Sequence, residues 1–358
     1  MNYYLKRKKE EDQKRRIIVS KLKILELFGG IGACSKALKK IGIDYEIVDY
    51  VEIDKFAVKS FNAINNTNFS PQDICDWDKN INVDLIMHGS PCQDFSVIGT
   101  GKGGDEGSGT RSSLMYETIR IVDKLKPKYI VWENVKNIIS KKHIHNFNNY
   151  IKRMEELGYN SYYKILNAKD YEIPQNRERL FTVSIRKDID KGFEFPQKKE
   201  LKTKLYDFLD KKVDKKYYLN DKNIIYALDL NDVQVGTKWE GSTSNGSINK
   251  EIAMTIGCRS AACQRAGITN FVIDNYNKEI TVKQAKEIIK SGNKLNMRRL
   301  TPKTCWRLMG FDDKDYEKAS KINSDTQLYK QAGNSIVVNI LVEIFLNLLK
   351  EETNGKTE

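Results

Sequence analysis

Cys92 is the residue in this sequence that is best placed for covalent chemistry. It follows the apolar run 83–87 and the turn residues 88–91, so its thiol stands just beyond the end of a predicted buried strand. Open α/β folds place their reactive groups at the carboxyl edge of the sheet. A cysteine is most often a small apolar core residue, but this setting favours a nucleophile.

A carboxylate and two arginines belong to the same predicted sheet edge. Glu133 directly follows the predicted strand 128–132, which places its side chain beside the strand end that carries the thiol. Arg177 and Arg179 occupy alternate positions at the start of the predicted strand 180–186, and alternate strand residues point to the same side. A surface charge pair is the alternative, and the neighbouring strand ends favour a role in an active site.

Two further strand ends indicate a site for an adenosine-containing ligand. The strand 23–27 runs into the glycine-rich turn Phe28 to Gly32, and the helix that follows offers free amide donors. Glu52 ends the next apolar run about twenty residues later, where carboxylates commonly accept hydrogen bonds from ribose hydroxyls. Asp73 stands in a turn that would bring it to an adenine amino group, with Ile74 on the ring; an ordinary Asp turn fits equally well.

Composition is typical of a soluble globular protein with one large and one smaller domain. The chain has 358 residues, 40% hydrophobic and 30% charged. Its net charge of +13 suits a polyanionic partner. The six cysteines form no CxxC pair, so neither a zinc site nor a disulfide framework is indicated. We expect a cytoplasmic protein without a membrane segment, since neither a signal peptide nor a long apolar run is evident.

The remaining pattern alternates strands and helices, which predicts an α/β fold. Residues 1–21 form a charged leader to which we assign no function. The glycine-rich segment 99–113 predicts a mobile lid, because a well-patterned helix resumes at once over 114–125. A further helix is predicted over 145–158, and a last apolar helix over 336–349.

Six short motifs occur in one order along the chain and together carry a family resemblance. They are Phe28-Gly29-Gly30-Ile31-Gly32, Glu52, Pro91-Cys92-Gln93, Glu133-Asn134-Val135, Gln175-Asn176-Arg177-Glu178-Arg179 and Gln331-Ala332-Gly333-Asn334-Ser335. In this order they resemble the DNA (cytosine-5) methyltransferases of the bacterial restriction-modification type. The resemblance covers residues 22–186 and 298–349.

The resemblance implies the fold of an S-adenosylmethionine-dependent methyltransferase. Such a fold is α/β, with a Rossmann-like mixed sheet flanked by helices and a smaller, irregular target-recognition domain. We expect a catalytic and cofactor-binding domain over 22–189, a target-recognition domain over 190–297 and a return to the catalytic domain over 298–358. The polar, lysine-containing composition of the middle region fits a DNA-reading role.

The resemblance also implies roles for the catalytic residues. Cys92 would add to C6 of a cytosine, so that C5 can take the methyl group of S-adenosylmethionine. Glu133 would hold N3 and the exocyclic amine, while Arg179, and more indirectly Arg177, would hold O2 and the nearby backbone. Because a stacked base cannot reach these groups, it must be flipped out of the duplex.

The resemblance assigns the ligand-binding positions in the same way. Those for the cofactor are Phe28, Gly30, Ile31, Gly32, Glu52, Ile53, Asp73, Ile74, Pro91, Leu114, Asn334 and Ser335. Those for DNA are Ser96 and Arg111 in the lid and Thr255, Arg259, Gln264 and Arg265 in the recognition region. For any one of the recognition residues, a phosphate contact or simple solvation is a better explanation than base reading. The implied partner is double-stranded DNA, with a possible cognate restriction endonuclease; we expect a monomer without a metal.

Three other functions compete with this one. A tRNA cytosine-5 methyltransferase would share the catalytic frame, but the Cys-Phe-Thr element of those relatives is absent and the variable region here is large. A non-catalytic DNA-binding relative would usually lose the nucleophile or the cofactor turn, and both are kept. An amino-group methyltransferase would need an Asn/Asp-Pro-Pro-Tyr/Phe element, and none occurs.

Overall fold

A computed structural model describes residues 21–91, 111–228, 247–258, 269–276 and 278–350. The first part of the chain supplies the strands β1 Leu22–Leu27, β2 Tyr45–Val51, β3 Leu85–His88, β4 Tyr129–Val135, β5 Tyr159–Asn167, β6 Gln175–Asn176 and β7 Glu178–Arg186. Six of them form one mixed sheet in the order β2-β1-β3-β4-β7-β5. β2, β1, β3 and β4 are parallel, whereas β7 is antiparallel to both β4 and β5. The predicted α/β fold with a mixed sheet is confirmed.

The helices of the described residues are α1 Ala33–Lys40, α2 Lys55–Asn65, α3 Met115–Leu125, α4 Ile144–Glu156, α5 Asp221–Leu228, α6 Val282–Lys290, α7 Pro302–Arg307, α8 Asp313–Ser320, α9 Asp325–Asn334 and α10 Val338–Leu348. α1 and α10 pack on one face of this sheet and α3 and α4 on the other, whereas α5 and α6 belong to a separate small core. Short 3-10 turns include Ile74–Asp76, Arg111–Leu114, Lys136–Ile139, Ala168–Tyr171, Leu205–Phe208 and Lys215–Tyr217. Because both faces are covered, the central strands are mostly apolar, which is why they could be predicted from hydrophobic runs in the sequence.

The sheet divides the hydrophobic core into two layers. Alternate residues of β1 point to opposite faces: Leu22 and Ile24 pack with α1 and α10, while Leu25 and Leu27 pack with α3 and α4. Glu26 lies on the same face as Ile24 and is almost fully buried. Its carboxylate accepts a hydrogen bond from the amide of Ser35 at the start of α1, 3.1 Å away.

The region from 190 to 297 contains the short strands β8 Ser247–Ile248, β9 Ala253–Met254, β10 Phe271–Ile273 and β11 Ile280–Thr281, and β12 Met297–Arg299 follows. Part of it has its own small core, built around Ile224, Phe271 and Ile280. Other residues, among them Leu205, Tyr217 and Ile256, pack into the large core instead. The predicted recognition domain is therefore joined to the catalytic core through apolar contacts.

Within the described residues, one segment, Asp325–Leu348, is long and apolar enough by composition to cross a membrane. Half of its most apolar window is buried inside the protein, as in the core helix of a globular domain. The segment is also divided, since α9 ends at Asn334 and α10 begins at Val338.

Candidate functional site

A pocket opens at the carboxyl edge of β1, β3 and β4. It is lined by the glycine turn after β1, by Gly89 after β3, by Glu133 of β4, and by Asn334, Ser335 and Ile336 between α9 and α10. The sequence-predicted strand ends therefore meet at one edge, where α/β folds place their ligands. The late motif returns to the same pocket, as the resemblance implies.

The turn from Phe28 to Gly32 wraps back onto β2. Gly32 precedes α1 with a φ of +84°, and a Cβ there would lie 2.9 Å from the ring of Phe61, so glycine is required. The hydroxyl of Tyr50 donates to the carbonyl of Gly30 at 2.6 Å. These contacts fix the conformation of the turn, which lines the pocket. The first backbone amides of α1 follow the turn directly.

Glu52 joins the end of β2 to the glycine turn. Its carboxylate accepts hydrogen bonds from the amides of Gly30, at 3.1 Å, and Asp54, at 2.8 Å. Burial raises the pKa of Glu52 above its ordinary value, although these two amides oppose the shift. Each carboxylate oxygen keeps a lone pair, which leaves the group able to accept from a diol.

Apolar surface suited to a flat ring lies beside Glu52. Ile53 is 67% exposed, although it is a large apolar side chain. Ile74 is only 3% exposed and packs in the core layer against which Phe28 and Leu114 also pack. Asp73 caps the short turn after it, accepting from the amide of Cys75 at 3.0 Å. Ile74, Phe28 and Leu114 thus share one core layer, while Ile53 is exposed directly after Glu52.

Glu133 and Arg179 form an ion pair on adjacent strands. The Nε atom of Arg179 lies 3.1 Å from Oε1 of Glu133, and their side chains are 17% and 12% exposed. Burial raises the pKa of Glu133, while the guanidinium groups of Arg179 and Arg177 lower it. Oε2 of Glu133 faces Gly89, since a Cβ at that glycine would lie 3.9 Å from it. The carboxylate thus lies over the turn that leads to Cys92.

Arg177 has a different environment from that of Arg179. The residue lies in the link between β6 and β7, so the alternation rule for strands does not place it beside Arg179. It is only 3% exposed and donates to the carbonyls of Ile256, Gly333 and Ser335 at 2.9, 3.1 and 2.9 Å. The prediction that Arg177 points to the same side as Arg179 stays a prediction: its guanidinium bonds these main-chain carbonyls, and it also lowers the pKa of Glu133, as that of Arg179 does.

Thr255 also bonds to the main chain. Its hydroxyl donates to the carbonyl of Asn176 at 2.7 Å, although the residue is exposed. β9, which precedes it, pairs in parallel with β6 through Gln175 and Ala253. Thr255 is thus held beside the arginine motif, and its hydroxyl oxygen remains able to accept from another group.

Several predicted site residues lie outside the described residues. These are Cys92, Ser96, Arg259, Gln264 and Arg265, together with the side chain of Arg111 and most of the predicted lid. Pro91 is the last described residue before this gap and is half-buried.

A buried polar network at the end of β3 was not recognised from the sequence. Ser90 accepts a hydrogen bond from the indole of Trp132 at 3.0 Å, and the amide of Asn134 lies 3.5 Å from the same oxygen. His88 stacks on Trp132 and lies 3.0 Å from the hydroxyl of Tyr150, and burial lowers the pKa of His88 to about 3. A neutral imidazole there fixes the end of β3. The sequence signal that could have indicated this network is the presence of polar residues at the ends of apolar runs. Such residues are buried with the run, and buried polar groups require hydrogen-bond partners.

Gln175 is a second residue that sequence reasoning did not single out. It is fully buried, and its side chain donates to the carbonyl of Leu308 at 2.8 Å and accepts from the amide of Ile256 at 2.9 Å. Among the residues that the structure describes, no group of three or more His, Cys, Asp or Glu side chains is arranged to hold a metal ion.

Comparison with protein families gives a match over nearly the whole chain. The family described as C-5 cytosine-specific DNA methylase matches residues 22–350. The type II methyltransferase M2.ScrFI of Lactococcus lactis subsp. cremoris is 32% identical over 92% of this chain and 100% of its own length. The orphan methyltransferase M.SPRI of Bacillus phage SPR is 31% identical over 95% of this chain and 100% of its own length.

Solved structures share the fold. The methyltransferase EhMeth of Entamoeba histolytica has a TM-score of 0.73 at 18% identity, covering 93% of this chain and 99% of its own. The Dnmt2 methyltransferase of S. pombe has a TM-score of 0.68 at 20% identity, with the same two coverages. At these identities the likeness concerns the fold alone.

Proposed function

The chain belongs to the family of C-5 cytosine-specific DNA methylases, and we propose how it carries out that activity. It transfers the methyl group of S-adenosylmethionine to C5 of a cytosine that has been flipped out of a short double-stranded DNA sequence. The observation that carries the proposal is the half-buried pair of Glu133 and Arg179, at 3.1 Å, over the turn that leads to Cys92. A base held by this pair would present C6 to the thiol.

The pocket at the carboxyl edge suits S-adenosylmethionine. Glu52 would take the ribose hydroxyls, Ile53 offers exposed apolar surface to the adenine, and the turn at Gly30 would lie along the methionine part. Asn334 and Ser335 would complete the wall. When bound, the cofactor supplies an electrophilic methyl group on a sulfonium ion. The family's activity and the residues present both support this assignment.

The chemistry is divided between the thiol and the ion pair. The thiolate of Cys92 forms a bond to C6, and Glu133 hydrogen-bonds or protonates N3 as the ring becomes electron-rich. The π electrons released at C5 would then form the new carbon–carbon bond to the methyl group, while the bond between that group and the sulfonium sulfur breaks and S-adenosylhomocysteine leaves. Loss of the C5 proton to a base and cleavage of the bond between sulfur and C6 restore the aromatic ring and the thiolate. Arg179 holds Glu133 and would hold O2 of the base.

A raised pKa suits Glu133 for this role. A carboxyl group whose pKa lies nearer neutrality exchanges a proton with N3 more readily than an exposed glutamate does. Burial provides the shift, and Arg179 limits it. The nearly closed environment of the pair also strengthens its interaction with a developing charge on the ring.

Names of the relatives support a place in restriction-modification. Both type II and orphan methyltransferases occur among them, so we propose a modification enzyme that acts with or without a cognate restriction endonuclease. We further propose that it works as a monomer in the cytoplasm. Size-exclusion chromatography with light scattering tests the monomer, and cell fractionation tests the location.

Bisulfite sequencing of unmethylated plasmid DNA, after incubation with the purified protein and S-adenosylmethionine, tests the proposed function. We expect protected cytosines within one short motif. Cys92→Ser should abolish protection, whereas Cys305→Ala, at a buried free cysteine of α7 outside the pocket lining, should retain it. Activity retained in Cys92→Ser would remove the thiol from the mechanism. Methylation of tRNA instead of DNA would favour the RNA substrate.

A further inference from the structure

Arg177 joins three parts of the protein that are distant in sequence. One guanidinium nitrogen donates to the carbonyl of Ile256, which directly follows Thr255 in the predicted recognition region. The other donates to the carbonyls of Gly333 and Ser335, and Ser335 forms part of the pocket wall. At 3% exposure this junction lies inside the protein, where the planar, forked guanidinium can bond several carbonyls at once.

Two further contacts make the junction tight. Gln175 bridges the amide of Ile256 and the carbonyl of Leu308, at 2.9 and 2.8 Å. Gly333 has no room for a side chain, because a Cβ there would lie 2.2 Å from the amide nitrogen of Cys258. The end of α9 and the main chain of residues 257–258 therefore touch directly. Displacing one of these segments requires displacing the other.

We propose that Arg177 and Gln175 couple the cofactor pocket to residues 253–258, so that a ligand bound against Asn334 and Ser335 also orders this segment for DNA. The inference rests on the proposed function, because it takes the pocket as the cofactor site and the segment as part of the DNA-facing region. Arg177 is then a positioning residue that acts through main-chain carbonyls. Coupling of this kind is reciprocal: the cofactor raises DNA affinity and DNA raises cofactor affinity by the same factor.

Entropy gives the physical reason for coupling without a large movement. A ligand that fixes the pocket wall removes motion of the Gly333 and Ser335 carbonyls, and the Arg177 fork then holds Ile256 in the same position. The second ligand meets a segment that is already ordered, so its own ordering cost is smaller. We expect a coupling factor of at least about fivefold, the lower end for linked sites.

Hydrogen exchange of the peptide 253–258 tests the coupling. Its amides are suitable reporters, since those of Ala253, Met254 and Ile256 bond to Pro174, Asn270 and Gln175. The probe is S-adenosylhomocysteine at saturation, with binding followed by calorimetry. In the wild-type protein the ligand should slow exchange of this peptide severalfold. Arg177→Lys lacks the forked guanidinium that bonds several carbonyls at once. In this variant bound ligand should no longer slow exchange of the peptide. Gln175→Met, which removes both side-chain bonds, should weaken the effect in the same direction.

Arg186→Lys is the matched control. Arg177 directly precedes β7, whereas Arg186 is at the far end of that strand and pairs with Asp188, so its replacement should leave the ligand effect unchanged. A merely structural role for Arg177 would speed exchange equally with and without ligand, and that result would overturn the coupling.

The wild-type protein alone also decides the question. Ligand that binds without slowing exchange of 253–258 refutes the coupling and leaves the proposed function standing. Absence of ligand binding refutes the cofactor assignment, and the coupling with it. As a further readout, the affinity of the protein for an unmethylated plasmid fragment should rise at least about fivefold with the ligand in wild type and stay unchanged in Arg177→Lys.

Discussion

Replacing Glu133 by glutamine tests the central pair of the site. Glutamine keeps the volume of the side chain and a carbonyl oxygen that can accept from Nε of Arg179, 3.1 Å away in the native pair. It removes the negative charge and the exchangeable carboxyl proton. The cytosine ring would then become electron-rich without an acid to protonate N3. The rate of the chemical step should therefore fall.

The size of the effect follows from the pair's environment. Proton transfer by a positioned side chain contributes about 10² to 10⁴ in rate, equivalent to about 3 to 5 kcal/mol of barrier. Loss of a hydrogen bond to a charged group costs about 1 to 3 kcal/mol of stability, and here part of that bond is retained. We therefore expect a fall in kcat of at least about a hundredfold, with a modest fall in Tm.

Single-turnover transfer of a labelled methyl group from S-adenosylmethionine to DNA measures the chemical step directly. Thermal unfolding measures stability in parallel. Glu178→Gln is the matched control, because Glu178 is adjacent to Arg179 in sequence but is half exposed and pairs with Lys136 on the surface. It should keep the rate within about threefold. A Glu133→Gln protein that is folded and transfers methyl at the wild-type rate would refute the assignment.

Three further predictions concern stability and binding. Burial raises the pKa of Glu26 to about 7 in the folded protein, above its usual 4.5, so the stability linked to this group is present below pH 4.5 and lost as pH rises through about 7. Urea unfolding at pH 5 and pH 8 should show this loss in wild type and not in Glu26→Gln. Gly333→Ala should lower stability by about 1 to 3 kcal/mol or prevent folding, because its Cβ would meet Cys258, whereas Gly257→Ala, with open space at that position, should be nearly neutral in a thermal melt. DNA affinity, measured by fluorescence anisotropy, should fall at least about tenfold between 50 and 200 mM salt, and a flat response would argue against phosphate contacts.

Local patterns were sufficient to predict the edge where the site lies. Buried parallel strands appear as apolar runs, and the residues that end these runs, such as Glu52 and Glu133, lie at the carboxyl edge whatever the details of packing. The glycine turn could be predicted for the same reason, since a backbone conformation such as that of Gly32 is open to few other residues. Family resemblance added the return of Asn334 and Ser335 to the pocket, which no periodicity indicates.

The environment of Arg177 was decided by tertiary structure alone. Its partners Ile256 and Ser335 lie 79 and 158 positions away in the sequence, and Gln175 meets Leu308 across 133 positions. Likewise, the packing of Leu205 and Tyr217 into the large core could not be seen in the composition of a lysine-rich segment. A sequence motif encodes the local direction of the chain and its apolar faces. Which distant carbonyl a buried guanidinium meets depends on how all the elements pack, and only the folded protein contains that information.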